Sequence, residues 1–434
     1  MRKTTSKAWA LTAGVASIAL LASACGSSDE SGDDASGSSD EKITLTVATF
    51  NEFGYEDLIK EYTELNPNIT VEQKKAATSN EARDNMNTRL AAGSGLSDIE
   101  AIEVDWLPEL MQFPDKFVDL TDDSIADRWL DWKVAQATTE DGTLIGYGTD
   151  IGPEGVCYRS DLFAAAGLPT DRAEVATLLG GDDATWEKYF EVGKQFKAAG
   201  TPTAWFDSAG ATYQGMINQV ENAYEDSDGT IIAADNAEVS DLYSQVLTAS
   251  TTDGLSAGLK QWEDPWVASF QNNGFATMLC PGWMLGVIEG NAEGVTGWDI
   301  ADVFPGGGGN WGGSFLTVPA QGEHPEEAMA LANWLTAPEQ QIKAFVSKGT
   351  FPSQVDALES QDLLSVTNAF YNDAPTGEIL ANRANAVSVT PFKGPNYFAI
   401  NDAMQQALTR VDVDKTDDPD SSWAKFLTDV KALG

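Results

Sequence analysis

The stretch Ile43-Thr44-Leu45-Thr46-Val47-Ala48-Thr49-Phe50 decides the fold, together with Tyr55, Leu58, Ile59, Tyr62 and Leu65 behind it. Ile43, Leu45, Val47 and Thr49 alternate with Thr44, Thr46 and Ala48 in a run with no charge, which predicts a strand buried on both faces. The five residues that follow keep the i, i+3, i+4, i+7 spacing of an amphipathic helix, with Glu56 and Asp57 favourably placed in its first turn. Asn66-Pro67 stops it. Ile69 to Glu72 reads as a second strand. Ala82, Met86 and Leu90 mark a second helix, with Ser79 as its cap and Gly93 as its stop. Ile99 to Val104 is a third strand. Strand–helix units of this length imply an α/β domain with a parallel sheet and right-handed crossovers.

Further along, the spacing predicts helices over Trp186–Ala199 and Tyr213–Tyr224, and strands over Phe275–Leu279 and Ser314–Val318. It also predicts a helix entered through Pro325, another opened by a Thr336–Glu339 capping box, and a last one over Trp423–Leu433. Gly306 to Gly309 form a loop of unusual freedom. No repeat of solenoid or propeller period is present.

Ahead of this body, Arg2, Lys3 and Lys7 precede an apolar stretch from Ala8 to Ala24, the pattern of a secretory signal over residues 1–24. Leu20-Leu21-Ala22-Ser23-Ala24-Cys25 resembles a bacterial lipobox, with Ala22 where Leu is commonest. The resemblance implies lipidation of Cys25 and a lipid-anchored protein on the outer face of the cell membrane. Residues 25–42, rich in Ser, Gly and acids, cannot bury apolar area and read as a flexible tether.

The chain has 434 residues, with 67 Asp+Glu against 26 Lys+Arg and a formal charge of −41. Removing the signal takes away three cations and no anion, leaving −44. Nucleic acid is thereby excluded as a ligand, since phosphate neutralisation needs clustered Lys and Arg. The single histidine, His324, rules out a histidine triad or a multi-histidine metal site. No GxSxG elbow, no GxGxxG after a strand and no Walker loop ending in Lys-Ser/Thr is present, so no enzyme chemistry, cofactor or metal is expected. Cys157 and Cys280 lie in apolar runs. In an exported protein they form either a disulfide or two small buried hydrophobes.

The aromatics carry more. Asp105-Trp106, Trp205-Phe206-Asp207, Trp262-Glu263-Asp264-Pro265-Trp266, Pro281-Gly282-Trp283 and Asn310-Trp311-Gly312-Gly313 set indoles beside turn-forming or polar residues. An indole face next to carboxylates and amides suits a neutral sugar: the ring packs on C–H surface while polar groups hold the hydroxyls.

The chain resembles the family 1 extracellular solute-binding proteins, the carbohydrate receptors of bacterial ATP-driven importers, over nearly all of Ile43 to Gly434. The marks are Thr46-Val47-Ala48-Thr49-Phe50-Asn51, Ala91-Ala92-Gly93-Ser94-Gly95 with Asp98, and Val156-Cys157-Tyr158-Arg159-Ser160-Asp161-Leu162-Phe163 ahead of Ala166-Gly167-Leu168-Pro169. Gly274-Phe275-Ala276-Thr277-Met278 before Gly282-Trp283, and Asn333-Trp334-Leu335-Thr336 through Gly349-Thr350-Phe351-Pro352, complete the set. The resemblance implies a two-lobed, type II periplasmic-binding-protein fold like that of maltose-binding protein. Lobe one would hold residues 43–153 with 281–322, and lobe two residues 154–280 with 323–434. It brings Cys157 and Cys280 together near the hinge.

The same resemblance implies ligand contacts from Asn51, Glu52 and Phe53, from Asp105 and Trp106, and from Asp150. Trp205 and Trp266 would face them from lobe two, with Trp283, Trp311, Gly312 and Gly313 completing the site. It further implies a monomer that delivers an oligosaccharide to membrane permease subunits, with cellobiose or cello-oligosaccharides as the leading ligand. A receptor for a cationic or peptide solute and a cell-surface glycoside hydrolase stand as the alternatives.

Overall fold

The computed structural model describes residues 42–434. The signal, Cys25 and the tether lie outside the described residues, save Lys42 at the tether's end. Strand β1 (Ile43–Phe50) pairs in parallel with β2 (Ile69–Ala76) on one side and β3 (Ile99–Glu103) on the other. The helices Glu56–Leu65 and Ser79–Ala92 make the crossovers. Leu45, Val47, Ile99 and Ile102 are fully buried, whereas Thr44 is exposed and Thr46 half-buried. Thr46 is not idle: its amide and hydroxyl both donate to Asp98 Oδ2 at 2.8 Å, fastening β1 to the approach of β3.

This first sheet is completed from far along the chain. Strand β9 (Ser314–Thr317) runs antiparallel to β3 and to the short β4 (Tyr147–Gly148), giving the order β2-β1-β3-β9-β4. The second sheet, β7-β6-β8, is antiparallel throughout, and so departs from the expected parallel arrangement. It consists of β6 (Glu154–Arg159), β7 (Thr277–Pro281) and β8 (Trp298–Ala301). Cys157 and Cys280 form a disulfide within it, with Cα atoms 5.5 Å apart.

The cores move the expected lobe boundaries. Ala328, Leu331, Ala332, Leu335 and Ala344, on the helices Pro325–Leu335 and Pro338–Lys348, pack with Leu45, Ile102 and Phe315 on the first sheet. Met284, Leu285 and Ile288 of the helix Gly282–Asn291 pack with Cys157, Trp298 and Ile300 on the second. The assignment of 281–322 wholly to lobe one and 323–434 wholly to lobe two is therefore corrected. Strand β8 pairs with β6, so the chain stays on the second sheet past residue 281 and returns only after residue 301. It leaves the first body again beyond Ala344. Two local expectations also change. The helix Ala209–Ile217 ends before Tyr224, and Thr336 caps no helix start: its hydroxyl donates to Ala332 O at 2.8 Å, and Pro338 opens the next helix behind Ala337.

Two segments cross between the sheets side by side. β5 (Asp150–Ile151) leads through Gly152 and Pro153 into β6, and residues 309–312 return. Gly152 N donates to Asn310 Oδ1, Trp311 N to Gly152 O, both at 2.8 Å, and Glu154 N to Gly309 O at 3.1 Å. A Cβ at residue 152 would stand 1.7 Å from the Trp311 carbonyl oxygen, so only glycine fits. A third link is the antiparallel pair of β5 with β10 (Phe351–Pro352). Gly152→Ala should therefore force the two backbones apart and lower unfolding stability by about 1–3 kcal/mol, the usual range for overpacking. Equilibrium urea unfolding checks this, and an unchanged midpoint would contradict the close approach.

Candidate ligand-binding site

A cavity of about 550 Å³ lies where these elements meet. That falls within the range of small-molecule sites. The first sheet contributes the residues that leave the carboxyl ends of its strands, the edge at which open α/β sheets bind ligands. Asn51, Glu52 and Phe53 follow β1, Ser79 and Asn80 follow β2, and Glu103 and Asp105 follow β3. Asn51 adopts φ +47°, a left-handed turn that asparagine tolerates better than most residues. The crossing segments supply Asp150, Trp311, Gly312 and Gly313. The opposite wall comes from the helices Ala209–Ile217, Gly282–Asn291 and Tyr397–Asp412, with Gln214, Trp283, Asn401 and Gln405, and from the turn carrying Trp262.

The floor is a group of charges. Asp105 is paired with the buried Lys393 ammonium, and its amide donates to Glu103 Oε2 at 2.8 Å. Asp150 Oδ1 accepts from the Thr149 hydroxyl at 2.6 Å and from the Ser314 amide at 2.9 Å. Lys133 lies beneath, fully buried, its ammonium 3.8 Å from the Phe315 ring centroid and without a hydrogen-bond partner among the described residues. Burial pulls it down to about 7, against the opposing charges of Asp150 and Glu103. Burial first, and then the Asp105 carboxylate, push Glu103 up to about 8. Gly313, at φ +107°, makes room for this floor. A Cβ there would stand 2.7 Å from Asp150 O and 3.0 Å from Lys133 Nζ.

Three indoles climb one side. Trp283 Nε1 donates to Trp311 O at 2.9 Å, and the two rings meet edge to face with centroids 5.5 Å apart. Trp262 stacks on Trp283 at 6.1 Å and 25°. It sits third in a four-residue turn at φ +73°. For a bulky side chain that conformation costs on the order of 1–3 kcal/mol.

The structure thus brings Asn51, Glu52, Phe53, Asp105, Asp150, Trp283, Trp311, Gly312 and Gly313 to one cavity. Three expected contacts are corrected. Trp106 is fully buried in the first core, and reaches the site only through its Nε1–H, which donates to Ser79 Oγ at 2.9 Å. Trp205 is fully buried in the second body, stacked 5.5 Å from Phe163. Trp266 is fully buried too, its Nε1 donating to Asp207 Oδ2 at 3.0 Å. Neighbouring polar residues in sequence do not tell which way an indole faces, and in each case the core took it. Trp262, one helical turn before Trp266, is the residue that faces the cavity. Glu103 was missed although it precedes Asp105 by two, the same-face spacing of a strand end. Gln214, Asn401 and Gln405 carry no sequence signal, because only the packing of their helices aims them inward. Among the described residues no cluster of three or more His, Cys, Asp or Glu side chains is disposed to hold a metal.

Comparison with known proteins places the chain. The family description "Bacterial extracellular solute-binding protein" matches residues 57–376. A crystal structure of an extracellular solute-binding protein of family 1 is 51% identical, with a TM-score of 0.79 over 90% of this chain and 99% of that one. The binding protein of an ABC transporter from B. animalis subsp. lactis Bl-04, solved with β-1,6-galactobiose, shares the fold at 18% identity, with a TM-score of 0.77 over 91% and 97% of the two chains. The arabinooligosaccharide-binding protein of Bacillus subtilis (strain 168) is 24% identical over 336 residues, 74% of this chain and 75% of that one.

The raised Glu103 sets a pH dependence. Between its usual 4.5 and about 8 the folded carboxyl holds its proton more tightly than the unfolded one, so this group's contribution to stability falls as pH rises through that window. Glu103→Gln should remove the effect and gain stability relative to the parent between about pH 5 and about pH 8.5. Paired denaturant melts at the two pH values test it, and a constant difference would contradict the assignment.

Proposed function

The chain belongs to the bacterial extracellular solute-binding proteins, and from that premise we propose that it is the receptor of an ATP-driven carbohydrate importer, closing two lobes around a neutral oligosaccharide and handing it to membrane permease subunits. The observation that carries this reading is the cavity itself, with indole faces of Trp262, Trp283 and Trp311 on one side and hydrogen-bonding carboxylates and amides on the other. Stacked platforms of this kind suit the C–H faces of two or more sugar rings, and the acidic side chains suit hydroxyl donors. The relatives support the ligand class and not one sugar: one is an arabinooligosaccharide-binding protein and another was solved with β-1,6-galactobiose. A cello-oligosaccharide therefore remains one series among several. Cys25 would anchor the chain by lipid at the outer face of the membrane, with residues 26–42 as spacer, the body acting as a monomer.

In this reading, binding energy drives closure about the crossing segments and no covalent bond of the ligand breaks. The polar groups orient hydroxyls, and sugar leaves as it arrived. A ligand carrying an amine is the second reading, favoured by the Glu103, Asp105 and Asp150 carboxylates in the cavity. The Lys393 ammonium that already neutralises Asp105 weighs against it.

Tryptophan fluorescence of the soluble body, titrated with arabino-, galacto- and gluco-oligosaccharides, should saturate with one series at an affinity that barely responds to salt. A steep loss with ionic strength would favour the cationic ligand, because exposed charge attraction is screened. A signal that decays as the sugar is cleaved would replace the receptor with a hydrolase.

A further inference from the structure

Residues Lys260 to Glu263 form a turn whose closing bond runs from the Glu263 amide to the Lys260 carbonyl at 3.4 Å. Its third residue, Trp262, takes φ +73°, at the position that glycine ordinarily occupies because a side chain is strained there. Such a residue persists only where the surroundings over-determine it, and the direction of inference runs from that outlier to function. Burial explains it only in part, for the ring packs on Trp266 with centroids 5.3 Å apart yet stays open to the cavity. Trp262 is 38% exposed, whereas Trp266 one helical turn on is fully buried. A purely structural turn would be better served by glycine.

The surroundings that hold the turn are specific. Asp207 is 1% exposed, and its Oδ2 accepts from Gln261 Nε2 at 2.8 Å and from Trp266 Nε1 at 3.0 Å, so one oxygen grips both sides of Trp262. Its backbone carbonyl accepts from Leu259 N at 3.2 Å, and its Oδ1 from Ser208 N at 2.8 Å. Ser208 caps the helix Ala209–Ile217 through the Ala211 amide, and that helix is a wall of the cavity. A single buried carboxylate thus ties the strained turn to the wall. The product is the outermost of three consecutive indoles, Trp311, Trp283 and Trp262, with centroid steps of 5.5 and 6.1 Å.

We propose that Trp262 is a preset platform for a third sugar ring at the mouth of the cavity, and that Asp207 is the positioning residue that holds it there, so that the chain prefers a trisaccharide to a disaccharide. The inference rests on the oligosaccharide reading above. The inner indoles serve the first two rings, and a ligand gains from Trp262 only when it is long enough to reach the rim.

The test is calorimetric titration of the full folded body with the di- and trisaccharides of the arabino-, galacto- and gluco-series. It is applied to the parent, Trp262→Gly, Asp207→Asn and the double variant. In the parent the trisaccharide should bind more tightly. Trp262→Gly should weaken the trisaccharide by about tenfold or more, as loss of a tryptophan hot spot does, and cut the trisaccharide-to-disaccharide ratio. Asp207→Asn should cut the same ratio, and the double variant should cut it no further than Trp262→Gly alone, which shows that Asp207 acts through the indole. Equal losses for both ligand lengths, or additive losses in the double variant, would each overturn the proposal. Should Asp207→Asn not fold, Gln261→Ala, which removes one of the two flanking bonds, takes its place. A parent that binds none of these sugars fails the oligosaccharide reading itself. A parent that binds them without regard to length fails only the platform.

Discussion

The close passage of two backbones at Gly152 and Trp311 is the constraint on which the rest of the structure depends. The chain runs from the first sheet to the second through Gly152 and Pro153, and returns through residues 309–312, with hydrogen bonds in both directions between the two segments. No side chain could be accommodated at residue 152. Asp150 sits just before this passage, and Trp311, Gly312 and Gly313 sit within and after it. The polar floor and the innermost indole are therefore positioned by the crossing segments themselves, so any change of angle between the sheets would alter the site. In the closure proposed above, the part that bends and the part that grips would share one stretch of backbone.

The floor shows how an excess of acid is managed. A chain with a formal charge of −41 places two of its few lysines, Lys133 and Lys393, almost out of water beneath its cavity. The outcome differs between them: burial outweighs the facing carboxylates at Lys133, which is held down to about 7, whereas at Lys393 burial is outweighed, chiefly by the Asp105 carboxylate, and the ammonium is held above its ordinary range. The arrangement leaves the floor close to electrical balance despite the surface around it. A nearly neutral, hydrogen-bond-rich floor beneath aromatic faces discriminates against ions of either sign, and this matches the uncharged ligand proposed.

Legibility in the sequence follows the range of the interactions. β1 to β3 and their helices could be read because alternation and 3.6-residue periodicity are local, as Leu45, Val47, Leu58 and Tyr62 demonstrate by their burial. The pairing of β8 with β6, some 140 residues apart, could not. A strand's pattern says that it needs a partner and not which one, so the lobe boundaries were drawn in the wrong places. At the site, Asn51, Asp105, Asp150, Gly312 and Gly313 are indicated by the family resemblance and not by a local pattern, and Glu103, at the end of β3, is indicated by neither. The indoles were legible only as a group. Trp106, Trp205 and Trp266 have polar neighbours in sequence as Trp262 does, yet tertiary packing buried the first three and left the last facing the cavity.

The Cys157–Cys280 disulfide joins β6 to β7, neighbours in one sheet, across a sequence separation of 123 residues. In the chain-entropy account a closed loop of that length is worth on the order of 4–5 kcal/mol against unfolding. The bond does not span the crossing segments. The disulfide therefore staples the second sheet alone, and under the closure proposed above durability and capture would be set by separate parts of the molecule.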